Sequence, residues 1–119
     1  MDQLNKKSFR DLIIMTQDIA DKFFFAKKMH DTKKGETFIK IDFNDDYPCD
    51  HYLIKVQEAY DTLSEAEQNL INNEFFYQSY HQWWKPLYSK ATFYRYKKEA
   101  MMKFLGAFYK DIAVQRQSL

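Results

Sequence analysis

The chain is 119 residues long, 45% apolar, 29% charged and close to neutral at +1, which suits one domain with one small core. Two Gly, two Pro and a lone Cys49 exclude a collagen-like or low-complexity chain, an internal disulfide framework and a Cys-only zinc site, and they argue against a many-turned sandwich or barrel. No stretch approaches the roughly 18 apolar residues of a membrane helix, and the polar start, residues 1–10, leads into no apolar signal core, so the expectation is a cytoplasmic protein that uses no membrane.

Residues 2–30 read as one long helix. Leu4, Leu12, Met15, Ile19, Phe23 and Met29 recur near helical spacing, and Phe9, Ile13, Ala20 and Phe24 widen the stripe. Phe23, Phe24 and Phe25 cannot all face one way, so at least one of them packs on a second surface. Residues 31–46 break the pattern with Gly35, many charges and the run Asn44-Asp45-Asp46. Within them 38–43 alternates in part, but a single strand finds no partner elsewhere, and the segment reads as a loop or an isolated extended piece. Pro48 suits the first turn of a second helix, and Asp50 favours the same end. That helix runs to about residue 62 and buries Leu53, Val56, Ala59, Tyr60 and Leu63. Ser64-Glu65-Ala66-Glu67 is a capping box; it opens a third helix reaching roughly residue 78, with Leu70, Ile71, Phe75 and Phe76 inward. Residues 81–87 fit only a short helix, because Pro86 disfavours helical geometry at Lys85 and interrupts the helix hydrogen bonds. Ser89 then caps a final long helix from Lys90 to about Val114, interrupted only by Gly106. The predicted architecture is all-α, about five helices in one domain over 1–119, with a helix-turn-helix-like unit at 63–105 and a long final helix.

Near-neutrality hides a polarised chain. Residues 1–40 carry nine Lys/Arg against six Asp/Glu, a net +3. Residues 41–80 carry Lys55 alone against nine acids, a net −8. Residues 81–119 carry eight basic residues against Glu99 and Asp111, a net +6. A basic C-terminal third suits a polyphosphate, and an acidic middle suits a basic protein, unless the two blocks face each other within the fold.

The most informative stretch joins the capped start at Ser64 to the run Ser89-Lys90-Ala91-Thr92-Phe93-Tyr94-Arg95-Tyr96-Lys97-Lys98-Glu99-Ala100. A capped helix, a short helix, a tight break and a second capped helix come in the order of a helix-turn-helix. A helix that enters the major groove needs small, polar or basic residues on the exposed side of its start and an apolar back. At 100° per residue, Phe93, Tyr96, Ala100, Phe104 and Ala107 share one face, and Ala91, Arg95, Lys98 and Met102 the opposite one. Thr92 and Tyr94 lie on the flanks. Arg95 suits a guanine edge or a phosphate, and Lys98 a phosphate. Lys85 stands where it can clamp the backbone, and Ser89 with the free N–H groups of the helix start suits a phosphate. Lys85, Ser89, Lys90, Thr92, Arg95 and Lys98 are the candidate nucleic-acid contacts. A second stripe on the same helix, Met101, Leu105, Phe108 and Ile112, is either core against the first helix or a protein interface, such as that of a homodimer.

The stretch 63–105 resembles the C-terminal region of phage late-transcription regulators of the ArpU and RinA type, themselves similar to the region 4 helix-turn-helix of bacterial sigma factors. In those proteins a Leu-Ser/Thr-x-x-Glu start precedes a Ser-x-Ser/Ala-Thr-Tyr/Phe-Tyr/Phe-Arg-x-Lys-Lys-x-Ala run, which Ser89 to Ala100 follows closely. The resemblance covers about a third of the chain and implies association with promoter DNA or RNA polymerase. The whole chain also resembles small mollicute proteins with the same C-terminal pattern, a resemblance that points to no known activity. This sequence departs from the regulators by placing Trp83 and Trp84 in the short helix and Pro86 near the turn, so its inter-helix packing differs from theirs.

Nothing points to catalysis. His30, His51 and His81 fall on different predicted elements, Cys49 and His51 alone form no metal or catalytic signature, and Asp42, Asp45, Asp46 and Asp50 lack the order of a calcium loop. No glycine-rich phosphate loop or nucleophile elbow occurs. The expectation is therefore a non-enzyme without cofactor or metal: a helix-turn-helix transcription regulator that binds DNA, with RNA polymerase or another protein as a further partner. The alternative is a protein-interaction module built on a degenerate helix-turn-helix. Tyr80, Trp83, Trp84, Tyr88 and Tyr94 serve either packing or the stacking of unpaired bases.

Overall fold

The computed structural model describes residues 4, 6–31 and 49–117, with side chains omitted at 30, 31, 49, 50 and 110–117. Of the predicted loop at 31–46, Asp31 ends a helix and the rest lies outside the described residues, as do Pro48 with its helix-start role, Asp42, Asp45 and Asp46, and the side chain of Ile112. All described regular structure is helical: α1 (Phe9–Asp31), α2 (Cys49–Asp61), α3 (Glu65–Ile71) and α4 (Lys90–Gln117). α3 runs on into a π turn, Asn72–Phe76.

Each start has a local cause. α1 begins later than the periodicity alone suggests, because the Ser8 hydroxyl accepts from the Asp11 N–H at 3.1 Å while the Ser8 carbonyl takes the first helical bond from Leu12. The capping box of α3 is complete. The Ser64 N–H donates to Glu67 Oε1 at 2.8 Å, and the Glu67 N–H donates to Ser64 Oγ at 3.2 Å. Ser89 opens α4 in the same way: its Oγ accepts from the Thr92 N–H at 3.2 Å, and its carbonyl from the Phe93 N–H at 2.9 Å. α4 passes through Gly106 without interruption.

The stretch 81–87 is the main departure in local structure. It forms successive turns rather than the predicted short helix. Lys85 N–H reaches back to Gln82, and both Leu87 and Tyr88 reach to Trp84, so the bonds close short loops without building a ladder. Gln78 and Gln82 take left-handed φ values of 42° and 60°, each costing about 1–2 kcal/mol for a non-glycine residue. With Pro86 denying a donor, the segment bends instead of coiling.

α4 is the central helix. It packs on α1, α2 and α3, while α1 also packs along α2. Leu12 and Ile19 of α1, Val56 and Ala59 of α2, and Leu70 and Ile71 of α3 meet Ala100, Met101, Phe104 and Leu105 of α4 in one buried cluster. Phe93, Ala100 and Phe104 of one apolar stripe of α4 and Met101, Leu105 and Phe108 of the other are therefore core. Met101, Leu105 and Phe108 are buried by the chain's own helices, the core alternative of the two that the spacing left open. Phe108 meets the Tyr52 ring edge-on at 5.7 Å, and Phe104 meets Phe76 at 6.2 Å. Tyr96, predicted inward, stands partly exposed and packs its edge on Tyr88 instead. Of the three phenylalanines of α1, Phe23 and Phe24 both meet Phe76 and Phe25 faces outward, so the second packing surface expected for one of them is not what the described residues show.

Glu67 links the cap to the core helix, since its Oε1 also accepts from Lys103 Nζ at 3.1 Å. Burial alone raises its pKa, but the Ser64 and Lys103 hydrogen bonds outweigh that and hold the carboxyl below the ordinary glutamate range. A depressed folded value means the stabilisation is full above the unfolded pKa and is lost as pH falls through the folded one. Ser64→Ala is expected to cost about 1 kcal/mol in urea denaturation. Glu67→Gln should be destabilised at neutral pH and lose less further stability than the wild type on acidification, as read by melting curves.

Candidate nucleic-acid interface

Among the described residues the acidic middle and the basic C-terminal third meet at two ion pairs. Glu67 takes Lys103, and Glu74 takes Lys97 at 2.6 Å. The second pair is largely enclosed, with side-chain exposures of 18% and 13% for Glu74 and Lys97. Lys97 points to the core side of α4, its Nζ 5.5 Å from the centre of the Phe75 ring and 5.8 Å from that of Phe93. The other oxygen of Glu74 accepts from the Trp83 indole N–H at 2.6 Å. One carboxylate thus fastens the turn segment to α4.

Trp83 and Trp84 both pack on Phe93, at the first turn of α4. Trp84 stacks on it with ring centres 4.5 Å apart and planes 9° apart, and Trp83 meets it edge-on at 6.0 Å. The two indoles hold the turn segment against the start of α4. They are packing residues here, with Trp83 buried and Trp84 partly so.

The predicted contacts fall around this start. Lys85, Ser89, Lys90, Arg95 and Lys98 are exposed, and Thr92 is half-buried. Ala91, Arg95 and Lys98 share the outer face of α4, as the 100° spacing requires. Lys90 lies nearer Lys97 on the helix wheel and lines the cleft between the turn segment and α4. Lys85, Lys90, Arg95 and Lys98 make no ion pair among the described residues; Arg95 lies beside the Tyr96 ring, 5.3 Å from its centre. The Ser89 hydroxyl also approaches Thr92 Oγ1 at 2.9 Å, so at this helix start the backbone N–H groups beyond the cap, rather than the hydroxyl, are the available donors.

Sequence reasoning missed the Glu74–Lys97 pair and its bond to Trp83. The only sequence signal was that Lys97 falls on the apolar side of its helix. Among the described residues no three His, Cys, Asp or Glu side chains come together as a metal site, and no helix is long and apolar enough to cross a membrane. No protein-family model, no curated protein and no solved structure matches the chain.

Proposed function

We propose that the chain is a small DNA-binding protein of the transcription-regulator kind that lays the start of α4 against duplex DNA. The observation that carries this reading is the division of the basic residues. Lys97 and Lys103 are neutralised by the acidic middle, whereas Lys85, Lys90, Arg95 and Lys98 stay exposed and unpaired around one helix start. Exposed cations without carboxylate partners are what a phosphate backbone engages. Arg95 and Lys98 project together from the outer face, Lys85 approaches from the preceding turn, and the helix start adds its N–H groups. The resemblance of Ser89 to Ala100 to the ArpU and RinA regulators supports the same end of the molecule.

A titration of a fluorescent duplex tests it. Arg95→Ala with Lys98→Ala is expected to weaken binding about ten-fold or more at low salt, since charged contacts to DNA are strongly salt-linked. Unchanged affinity in the double variant would sink the assignment. A second reading, a protein-interaction module, is favoured by the turns at 81–87 where a supporting helix was expected. Failure of the wild type to bind duplex at low salt, together with a protein partner that stays bound in a pulldown, favours that reading.

A further inference from the structure

A cleft of about 470 Å³ opens between the turn segment and the first turns of α4. Tyr80 and Tyr94 line it, the former 72% and the latter 42% exposed. Tyr94 is held in place by edge contacts with Phe9 and Phe93, whereas the Tyr80 ring makes no ring contact among the described residues. The side-chain amides of Gln78 and Gln82 also line it and have no hydrogen-bond partner among the described residues. Lys90, exposed and without an ion pair, contributes an ammonium group.

The chemistry of this lining is specific. Tyrosine faces stack on planar rings, an amide both donates and accepts along a base edge, and an ammonium meets a phosphate. Glu74 repels no phosphate strongly, because Lys97 and the Trp83 indole already occupy its two oxygens. An aliphatic side chain leaves the amides and the ammonium group unused, and a bare anion uses neither the tyrosines nor the amides.

We infer that this cleft binds an unpaired nucleotide, with its base on Tyr80 and Tyr94 and its phosphate on Lys90. The inference extends the duplex-binding reading above and shares Lys90 with it, but its test turns on Tyr80, which that reading does not use, so the two fail separately.

Anisotropy titrations with a labelled oligothymidylate of about 12 nucleotides, the matching oligouridylate and a duplex test it. The wild type is expected to bind the single strands, and Tyr80→Ala to weaken that binding about ten-fold while shifting duplex affinity by less than about two-fold. Tyr80→Phe should restore binding, because the stacking face is kept, and an unchanged melting curve of Tyr80→Ala shows that the fold is intact. Equal affinity for the two single strands means that both polymers supply the nucleotide, and a preference for one names it. Binding of duplex without single strand overturns the inference and leaves the duplex reading standing. Single-strand affinity that is the same in Tyr80→Ala and wild type also overturns it, and binding of neither polymer overturns both readings.

Discussion

Glu74→Ala is expected to cost about 2–4 kcal/mol, because it strips the partners from two enclosed groups at once. The Lys97 ammonium is left among the rings of Phe9, Phe75 and Phe93 without its carboxylate, and the Trp83 indole N–H without an acceptor. Aromatic faces return part of the loss on the lysine, and partial exposure of the pair returns some more. Glu74→Gln should cost less, since an amide oxygen still accepts from Trp83 or Lys97. Chemical denaturation measures both. The effect should reach beyond stability: with the turn segment unfastened from α4, amide exchange at 80–88 is expected to quicken more than exchange in α1 or α2. Equal loss for the two variants would mean that the carboxylate charge carries the whole contribution and that the acceptor kept by glutamine adds nothing.

Leu105→Ala is expected to cost about 2–5 kcal/mol, which lowers Tm by roughly 10–20 °C in a chain of this size. Leu105 is fully buried at the centre of the molecule, where α4 meets its neighbours, and few directions remain for the walls to relax. The measurement also separates the two meanings of the stripe Met101, Leu105 and Phe108. A core position lowers the melting temperature at every protein concentration. An interface position would instead change the concentration dependence of melting and leave the dilute protein unaffected.

What could be read from the sequence was whatever is decided within a few residues. The Ser64–Glu67 box, the Ser89 cap and the break at Pro86 are local chemistry, and each stands where the pattern put it. The exposure of Arg95 and Lys98 follows from helical spacing once Phe93 and Ala100 are inside. Ser8, with Asp11 three residues on, carried a cap signal as plain as that of Ser64, but the apolar spacing of Leu4 drew the helix start too early. What stayed hidden depends on partners far along the chain. Glu74 and Lys97 are 23 residues apart. The stacking of Trp84 on Phe93 decides that 81–87 is a set of turns held against α4, and no periodicity records a stacked pair. The stripe Met101, Leu105 and Phe108 had two readings because a helix covered on several sides and a helix with one face free show the same spacing. Only the presence of α1 and α2 on either side chooses between them.

The charge division points to one direct measurement, the salt dependence of duplex binding. With Lys85, Lys90, Arg95 and Lys98 on phosphates, the logarithm of the affinity should fall against the logarithm of salt concentration with a slope of about −3.6, and in the Arg95→Ala, Lys98→Ala variant with a slope of about −1.8. Equal slopes for the two proteins, or a duplex affinity indifferent to salt, would contradict the placement of DNA on the start of α4.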